Sequence, residues 1–356
     1  MIKKILLKNF RNYSELDISF DNPVTIFTGK NGQGKTNIIE GIFFAGMLRS
    51  FRTSQVRDLK KIGTGGFYIG ADVNENDGWV KHLEIEYSYI KRLKIDGSIV
   101  SKSSDFIKQI KAVVFTPDDI NIVLGNSGIR RRFLDILISM QMPEYLISLS
   151  DYMKALSCRN NLLKYSKIDI PSIQAYEKIL ADNIFSIVQH RNNFISLLNI
   201  KTSELLSEFY GDKFSFEMKC RSQVQASSSE EYFDHFQNER IKDIQRGFTG
   251  FGPHLDEIDL ILNSKNLRNF GSTGQCRLIS MCLNMAKINM LYENKFKNII
   301  VLVDDVTGEL DAHTKETFMK VINKAEQIFF TFTEIPDENY FKNALNYKIE
   351  NGKVVV

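Results

Sequence analysis

Two kinds of hydrophobic spacing divide the chain into regions of strand and regions of helix. Near the amino terminus, the apolar run Ile2 to Leu7 precedes a strict alternation from Leu16 to Phe20, which is typical of a half-buried strand. The β-branched run Val24 to Thr28 then leads into a glycine-rich loop, after which apolar residues recur at helical spacing, at Ile38, Ile39, Ile42, Phe43 and Gly46. The pattern predicts an opening strand pair followed by strand, loop and helix.

The middle of the chain changes from strand to helix patterning. Short alternating stretches between residues 66 and 100, with Asp96-Gly97 suited to a tight hairpin turn, predict an antiparallel β region. From about Pro143 to Phe209, apolar residues follow steps of three, four or seven, with Pro171 and Ser172 marking a helix start. This predicts two or three long helices, and the polar run Ser227 to Glu231 predicts a loop after them.

Two largely apolar runs near the carboxyl terminus have the length of buried strands. Ile299 to Val303 ends in two aspartates, and Gln327 to Thr333 follows one helix later. Parallel strands joined by a helix, together with the glycine loop, predict an α/β core of nucleotide-binding type.

Composition limits the class of protein. The 356 residues are 43% hydrophobic and 25% charged, which is ordinary for a soluble globular protein, and no apolar run approaches the length of a membrane span. The amino terminus lacks the apolar region of a secretion signal, so we expect a cytoplasmic protein with no membrane partner. Four scattered cysteines favour reduced thiols over disulfides or a zinc site.

The net charge of +3 is unevenly distributed, because residues 1–61 hold 11 Lys or Arg against 5 Asp or Glu. Within this region, Arg49, Arg52, Arg57, Lys60 and Lys61 form either a surface for DNA phosphates or a set of solvated charges. A second cluster, residues 130–132, is interpreted either as a DNA-binding surface or as a set of partners for acidic residues of a helical arm. The favoured interpretation of the histidine at position 254 is structural.

The segment Gly29-Lys30-Asn31-Gly32-Gln33-Gly34-Lys35-Thr36 is a complete phosphate-binding loop between a predicted strand and a predicted helix. Its glycines let backbone N–H groups face phosphate oxygens, and the following helix adds its positive end. We expect Lys35 to contact the β and γ phosphates of ATP and Thr36 to hold Mg²⁺. The expected cofactors are therefore ATP and Mg²⁺.

Asp304 ends a buried strand, where a carboxylate is costly unless it meets a cation, and we expect it to bind Mg²⁺. Asp305 points differently and is a candidate to orient or deprotonate the attacking water, or else to cap the next turn. The catalytic candidates are Lys35, Asp304 and Asp305.

Gly271-Ser272-Thr273-Gly274-Gln275 precedes a long helical pattern, and small residues at a helix start can form an anion site. Gly308-Glu309-Leu310-Asp311 follows the two aspartates. Together with the phosphate loop and the two aspartates, these segments indicate an ATP site more specifically than any one motif does.

In this order, the phosphate loop, Ser272 to Gln275, the two aspartates and Glu309 to Asp311 resemble the ABC-type ATPase head of SMC, Rad50 and RecF proteins. Within that group the chain looks like a RecF protein. Supporting stretches run through nearly the whole chain: residues 8–13, 29–37, 49–53, 130–135, 159–163, 252–254 and 272–311.

The resemblance implies an α/β fold: an ABC-type head with a mixed sheet, an antiparallel β region and an inserted helical arm. We predict the head at residues 1–125 and 245–356 and the arm at 126–244. It also implies a homodimer in which Lys35 and Thr36 of one subunit and Ser272 and Gly274 of the other enclose one ATP. The remaining nucleotide-binding candidates are Arg11, Asn12, Asn37, Gln275 and Asp311, although Arg11 is equally interpreted as a solvated charge.

The resemblance further implies binding to DNA at gaps and single-strand to duplex junctions. RecR and RecO are the implied partners, with RecA loaded indirectly during repair, replication and the SOS response. Slow ATP hydrolysis would act as a switch.

Some positions depart from the family pattern: Gly32, Phe51, Leu255 and Cys276 replace the usual alanine, histidine, arginine and glutamine. A diverged RecF-like ATPase acting elsewhere, for example in phage defence, therefore stays open. A transporter subunit is disfavoured, because its loop and signature would lie much closer together, and the predicted arm is too short for a Rad50 or SMC coiled coil.

Overall fold

The computed structural model describes residues 1–74, 78–165, 168–306, 311–335 and 341–355. Its chain divides into two compact units, one made of Met1–Asp119 and Met281–Val356 and the other of Ile120–Ser280. None of the helices within the described ranges combines the length and the apolar character that a membrane crossing needs.

The strands in chain order are β1 Ile2–Phe10, β2 Tyr13–Ser19, β3 Val24–Thr28, β4 Phe67–Asn74, β5 Val80–Tyr87, β6 Lys91–Ile95, β7 Ser98–Ile99, β8 Lys111–Phe115, β9 Phe216–Arg221, β10 Glu257–Leu262, β11 Lys265–Asn266, β12 Ile299–Asp304, β13 Gln327–Phe332, β14 Leu345–Glu350 and β15 Lys353–Val355. The α-helices are α1 Lys35–Met47, α2 Ser103–Ile107, α3 Asn121–Leu124, α4 Ser127–Gln141, α5 Pro143–Leu162, α6 Ile170–Tyr210, α7 Ser229–Arg246, α8 Leu267–Phe270, α9 Thr273–Glu293 and α10 Ala312–Ile322.

The first unit contains two six-stranded sheets. One is antiparallel, in the order β2-β1-β4-β5-β6-β7. The other runs β15-β14-β3-β13-β12-β8, and its strands β14, β3, β13, β12 and β8 are parallel. This confirms the predicted strand pair, the antiparallel region and the α/β core, because apolar periodicity specified each of them.

Helix α1 packs against both sheets of the first unit. A side chain at Gly41 would lie 2.9 Å from Leu7 of β1, and one at Gly46 would lie 2.8 Å from Ile110, next to β8. These contacts leave room only for hydrogen at the two glycines. The helix that follows the phosphate loop is consequently fixed on two sides.

The second unit is built around the long helix α6, which packs against α5 and α7. Asp169 caps α6 by accepting a hydrogen bond from the Ser172 backbone, and Pro171 lies in the first turn, as the sequence predicted. The loop predicted at Ser227 to Glu231 is wrong in part. Ser228 is the N-cap of α7, so the two following glutamates lie in its first turn, where negative charge is favourable.

The second unit is longer than the predicted arm of residues 126–244. Strand β10 pairs with β9, and β11 extends the same small antiparallel sheet. Pairing over such a sequence separation has no local sequence signal, and the bounds of the helical arm stay a prediction.

Buried arginines form the polar core of the second unit. Arg159 is completely buried and donates to Glu177 and Asp243, while Arg191 donates to Asp135 and Asp256. Burying such ions is unfavourable unless each charge is paired, and here each arginine meets two carboxylates.

Two arginines of the 130–132 cluster also have a structural role. Arg130 donates to the carbonyls of Ile258 and Gly125, and Arg131 donates to the carbonyl of Asp256. Backbone carbonyls of their own unit thus hold both guanidinium groups. These contacts favour the structural interpretation for Arg130 and Arg131, and a DNA role for Arg132 stays a prediction.

Candidate nucleotide-binding site

The phosphate loop lies between β3 and α1 and has the backbone of an anion cradle. Gly29, Gly32 and Gly34 all have positive φ angles, of 142°, 79° and 114°. A side chain at Gly29 would lie 2.3 Å from the carbonyl oxygen of Ile349, and one at Gly34 would lie 2.6 Å from the Tyr13 hydroxyl. Gly34 is the N-cap of α1 and supplies no side chain to its first N–H groups, which leaves them available to an anion.

Lys35 is the first residue of α1, and its ammonium points back into the loop. Nζ donates to the carbonyl oxygens of Gly29 at 2.5 Å and Lys30 at 3.0 Å. Burial lowers the pKa of Lys35, whereas the charges of Asp305 and Asp304 act to raise it. A buried ammonium held by two backbone carbonyls is suited to phosphate oxygens. Lys30 and Asn31 of the phosphate loop are exposed to solvent.

Asp304 ends β12 beside the phosphate loop. Its Oδ1 accepts hydrogen bonds from the hydroxyls of Thr36 at 2.9 Å and Thr331 at 2.7 Å. Burial is the main cause that raises the pKa of Asp304, and the two hydroxyl donors offset it in part. A buried carboxylate bonded to two neutral hydroxyls, with a threonine oxygen adjacent, is a donor set that Mg²⁺ prefers. The residues therefore fit the expected metal.

Asp305 is exposed and has a φ of 56°, a left-handed conformation that is uncommon for a residue other than glycine. The residue directly follows the last residue of β12. Its charge acts on both Lys35 and Asp304, which places it beside the phosphate loop. Residues 307–310, including Glu309 of the predicted motif, lie outside the described residues.

Asp311 is the N-cap of α10. Its two oxygens accept from the backbone N–H of Thr314 at 2.9 Å and from the Thr314 hydroxyl at 2.8 Å, and these bonds lower the pKa of the carboxyl. The carboxylate is thus engaged by its own helix. Its contact with nucleotide stays a prediction.

The turn between β1 and β2 supports the loop from one side. The Tyr13 hydroxyl donates to the carbonyl of Gly34 at 3.1 Å, and the Asn12 amide faces the carbonyl of Gln33 at 3.5 Å. Asn37 of α1 donates to the Asn12 oxygen at 2.8 Å. Asn12 and Asn37 therefore lie together at the loop, as the sequence analysis grouped them.

Arg11, interpreted from the sequence as either a nucleotide contact or a solvated charge, forms a two-pronged pair with Glu40 of α1 through its guanidinium. Glu40 is completely buried and also accepts from Ser50. Arg52 donates to Asn37 at 2.8 Å and lies 3.5 Å from Glu40. We missed Glu40 in the sequence, although a glutamate among Ile38, Ile39, Ile42 and Phe43 on an apolar helix signals a buried partner.

The carboxyl-terminal hairpin supports the loop from another side. Gln33 accepts backbone hydrogen bonds from Asn351 through its side chain, at 2.5 Å, and from Gly352 through its carbonyl, at 3.1 Å. Both donors belong to the turn between β14 and β15. The loop is held in shape by the protein itself.

The signature segment belongs to the second unit. Ser272, the residue before α9, accepts from the Gln275 backbone at 3.2 Å, and the Gln275 side chain accepts from the Ser272 backbone at 2.9 Å. This reciprocal pair is a capping box. Ser272 and Gly274 are exposed, and a side chain at Gly274 would meet nothing within 4 Å. The start of this helix is accessible.

Comparison with known proteins places the chain. The sequence profile of the RecF/RecN/SMC N terminal domain family matches residues 1–349. A DNA replication and repair protein RecF from Bacillus cytotoxicus is 33% identical over 99% of this chain and 98% of its own length, and one from Bacillus thuringiensis is equally similar. The chain belongs to the RecF family. Its fold is accordingly that of an ABC-type ATPase head, as the sequence predicted.

Solved structures agree with the RecF assignment. A structure of the recombination mediator protein RecF with ATP in the RecFOR pathway has a TM-score of 0.91 at 28% identity, covering 99% of this chain and 96% of that one. An SMC head bound to the C-terminal winged-helix domain of ScpA has a TM-score of 0.53 at 15% identity, covering 99% of this chain and 96% of that one. The second similarity shows the shared fold alone.

Proposed function

We propose that the protein is an ATP-dependent DNA-binding switch of recombinational repair, in which ATP closes a homodimer on DNA and slow hydrolysis releases it. The observation that carries the ATP site is the position of Asp304, bonded to Thr36 at 2.9 Å and acting electrostatically on Lys35. The relative solved with ATP supports the choice of nucleotide.

The residues have distinct roles in this proposal. Lys35 and the open N–H groups at the start of α1 bind the β and γ phosphates. Thr36 and Asp304 would hold Mg²⁺, which, when bound, neutralises charge on the phosphates. Asp305, which is exposed and has a left-handed backbone, orients the attacking water.

Ser272 and Gly274 of the partner subunit complete the site across the dimer. The capping box supports this role, because the Ser272 oxygen accepts from Gln275 and its own proton is left to donate to a phosphate. The open space at Gly274 allows a phosphate to approach the backbone. A monomer would bind ATP without enclosing it.

The pathway proposal follows from the RecF relatives. We infer binding to gapped DNA or single-strand to duplex junctions, cooperation with RecO and RecR, and assistance to RecA loading and the SOS response. The RecFOR pathway of the solved relatives supports the partners. The principal alternative is a diverged RecF-like ATPase in another pathway, such as phage defence.

Light scattering with and without ATP and Mg²⁺, combined with anisotropy of a labelled gapped duplex, tests the proposal. We expect an ATP-dependent dimer that prefers gapped over fully paired DNA. Lys35→Ala should lose both responses. A wild-type protein that stays monomeric with saturating ATP, or that binds both DNAs equally, would refute the proposal.

A further inference from the structure

One end of the antiparallel sheet in the first unit gathers three turns. The strand registers pair Phe10 with Tyr13, Phe67 with Tyr87, and Tyr87 with Lys91, so these residues lie at the same edge. We call this edge the hairpin end: the β1–β2 turn, the loop of residues 60–66 and the β5–β6 turn of residues 88–90. The β1–β2 turn is the one that supports the phosphate loop through Asn12 and Tyr13.

The hairpin end carries apolar side chains that face solvent. Ile62 is 97% exposed, Tyr89 91% and Ile90 75%. Among the large apolar side chains described, Ile62 and Tyr89 are the two most exposed. The turns that carry them are adjacent, because a side chain at Gly66 would lie 1.9 Å from the Tyr87 carbonyl and 3.0 Å from the Cα of Ser88. Exposed apolar groups that adjoin one another point to a binding surface.

Tyr89 also has an unfavourable backbone. Its φ of 131° lies in a region that residues with a side chain seldom adopt. Burial does not explain the choice of tyrosine, since the ring is almost fully exposed. Strain at an exposed position without packing is a reason to look for a function.

Positive charge surrounds these apolar groups. Lys91 begins β6 directly after the β5–β6 turn; burial lowers its pKa, and the positive charge of Arg49 lowers it further. Lys60 pairs with Phe10, and the Lys61 backbone donates to Asn9, which fixes both lysines at the hairpin end. Arg57 is exposed in the same segment. Cations beside an exposed aromatic ring match the phosphates and bases of a nucleic acid.

We propose that the hairpin end binds the single-stranded side of a DNA junction, with Tyr89 and Ile90 against unpaired bases and Lys60, Lys61 and Lys91 along the phosphates. The proposal rests on the DNA-binding function inferred above and assigns its selectivity. A fully paired duplex keeps its bases stacked inside, so it offers phosphates to the lysines but no base face to Tyr89. Tyr89 and Ile90 of the β5–β6 turn therefore discriminate between the two DNAs, whereas the lysines attract both.

Tyr89→Gly tests this assignment without the risk of unfolding, because glycine relaxes the strained backbone and the ring makes little buried contact. With ATP and Mg²⁺, we expect the affinity for a gapped duplex to fall about ten-fold and that for a fully paired duplex of equal length to change little. The thermal midpoint should stay the same or rise. Trp79→Ala is the matched control, since Trp79 is 78% exposed beyond the opposite end of β5 and should leave both affinities unchanged.

A fluorescence version reports the contact directly. Trp79 is the chain's one tryptophan, so Trp79→Phe combined with Tyr89→Trp leaves a single indole at the tip. We expect the gapped duplex to quench its emission and the paired duplex to leave it unchanged.

Equal losses for both DNAs, no loss for either, or no quenching would overturn the inference. It would also be overturned if Tyr89→Gly abolished binding to a RecR or RecO protein while DNA binding persisted, which would make the tip a protein-binding surface. If the wild type forms ATP-dependent dimers on gapped DNA and Tyr89→Gly does the same with equal affinity, this inference alone fails. A wild type that does not prefer gapped DNA refutes the proposed function itself.

Discussion

Arg11 and Glu40 form a two-pronged ion pair next to the phosphate loop, with Nε to Oε2 at 2.7 Å and Nη2 to Oε1 at 2.6 Å. Arg11 also donates to the Asp58 carbonyl, and its backbone N–H donates to Leu59. Glu40 lies on the helix that follows the phosphate loop. The pair therefore joins the nucleotide site to the basic residues between positions 49 and 61, which lead into the hairpin end.

The first prediction concerns this connection. Glu40→Gln should destabilise the first unit by about 3 kcal/mol, because Arg11 loses its charged partner at a buried site. It should also reduce the ratio between DNA affinities measured with and without ATP. Anisotropy in both conditions gives this ratio.

A matched control is available in the second unit. Glu177 is equally buried and pairs with Arg159 and Arg240, so Glu177→Gln should cost similar stability. It should leave the ATP dependence of DNA binding intact. If both variants change that ratio equally, Glu40 is only a structural residue.

The second prediction concerns the metal. Asp304→Asn removes the anionic ligand while keeping a hydrogen-bond acceptor for Thr36 and Thr331. Hydrolysis should fall about 100-fold or more, and ATP affinity should no longer differ between Mg²⁺ and EDTA. Asp169→Asn, which neutralises an acidic helix cap in the second unit, should change neither property. A variant that still binds ATP more tightly with Mg²⁺ would remove Asp304 from the metal site.

The third prediction separates hydrolysis from binding. Asp305→Asn should retain ATP and accumulate the closed dimer, since the amide cannot assist the attacking water. Light scattering over time after ATP addition should show a persistent dimer. A variant that stays monomeric with saturating ATP would contradict the assignment to Asp305.

The fourth prediction concerns the signature segment. Ser272→Arg should prevent dimerisation through bulk at the exposed helix start, while a monomer still binds ATP. Ser228→Arg is the matched control, because Ser228 caps α7 in the same way, and it should dimerise normally. Loss of ATP binding in the Ser272 variant would place Ser272 in the site of its own subunit.

The fifth prediction concerns pH. Burial lowers the pKa of His254 from 6.5 to about 4, and its Nδ1 pairs with the Tyr152 hydroxyl at 2.5 Å. The unfolded chain takes up this proton below its own pKa and the folded chain does not, so the stabilisation is complete above pH 6.5. The contribution of this histidine to the free energy of unfolding declines as the pH falls toward 4, and about 2 kcal/mol of it is lost at pH 5. Urea unfolding at pH 7 and pH 5 should show this loss, and His254→Gln should lack it. An equal loss in both proteins would show that other groups cause it.

Elements with a strong period could be predicted from the sequence, and partners distant along the chain could not. β1, β12 and α6 follow from apolar spacing, because burial on one or both faces dictates it. Arg11 was interpreted either as a nucleotide contact or as a solvated charge, and its pairing with buried Glu40 was not predicted. A capping serine such as Ser228 is also typical of loops, so the start of α7 was predicted as a loop.

The candidate site likewise combines contacts that the sequence predicts with contacts that it does not. Lys35, Thr36 and Asp304 come together as the motifs required, since a loop after β3 and the end of β12 meet at one edge of a parallel sheet. The sequence indicated Thr331 only as part of a buried strand, yet its hydroxyl donates directly to Asp304. Register between strands decides such contacts.

The close approach of Gly29 to the Ile349 carbonyl gives the phosphate loop a second reason for its sequence. An alanine at position 29 would collide with β14 whether or not a nucleotide is present. Part of a motif usually explained by its ligand is thus a requirement of folding. Damage from such a substitution would therefore appear first as poor yield of native protein, and a loss of ATP binding measured on the remainder would understate it.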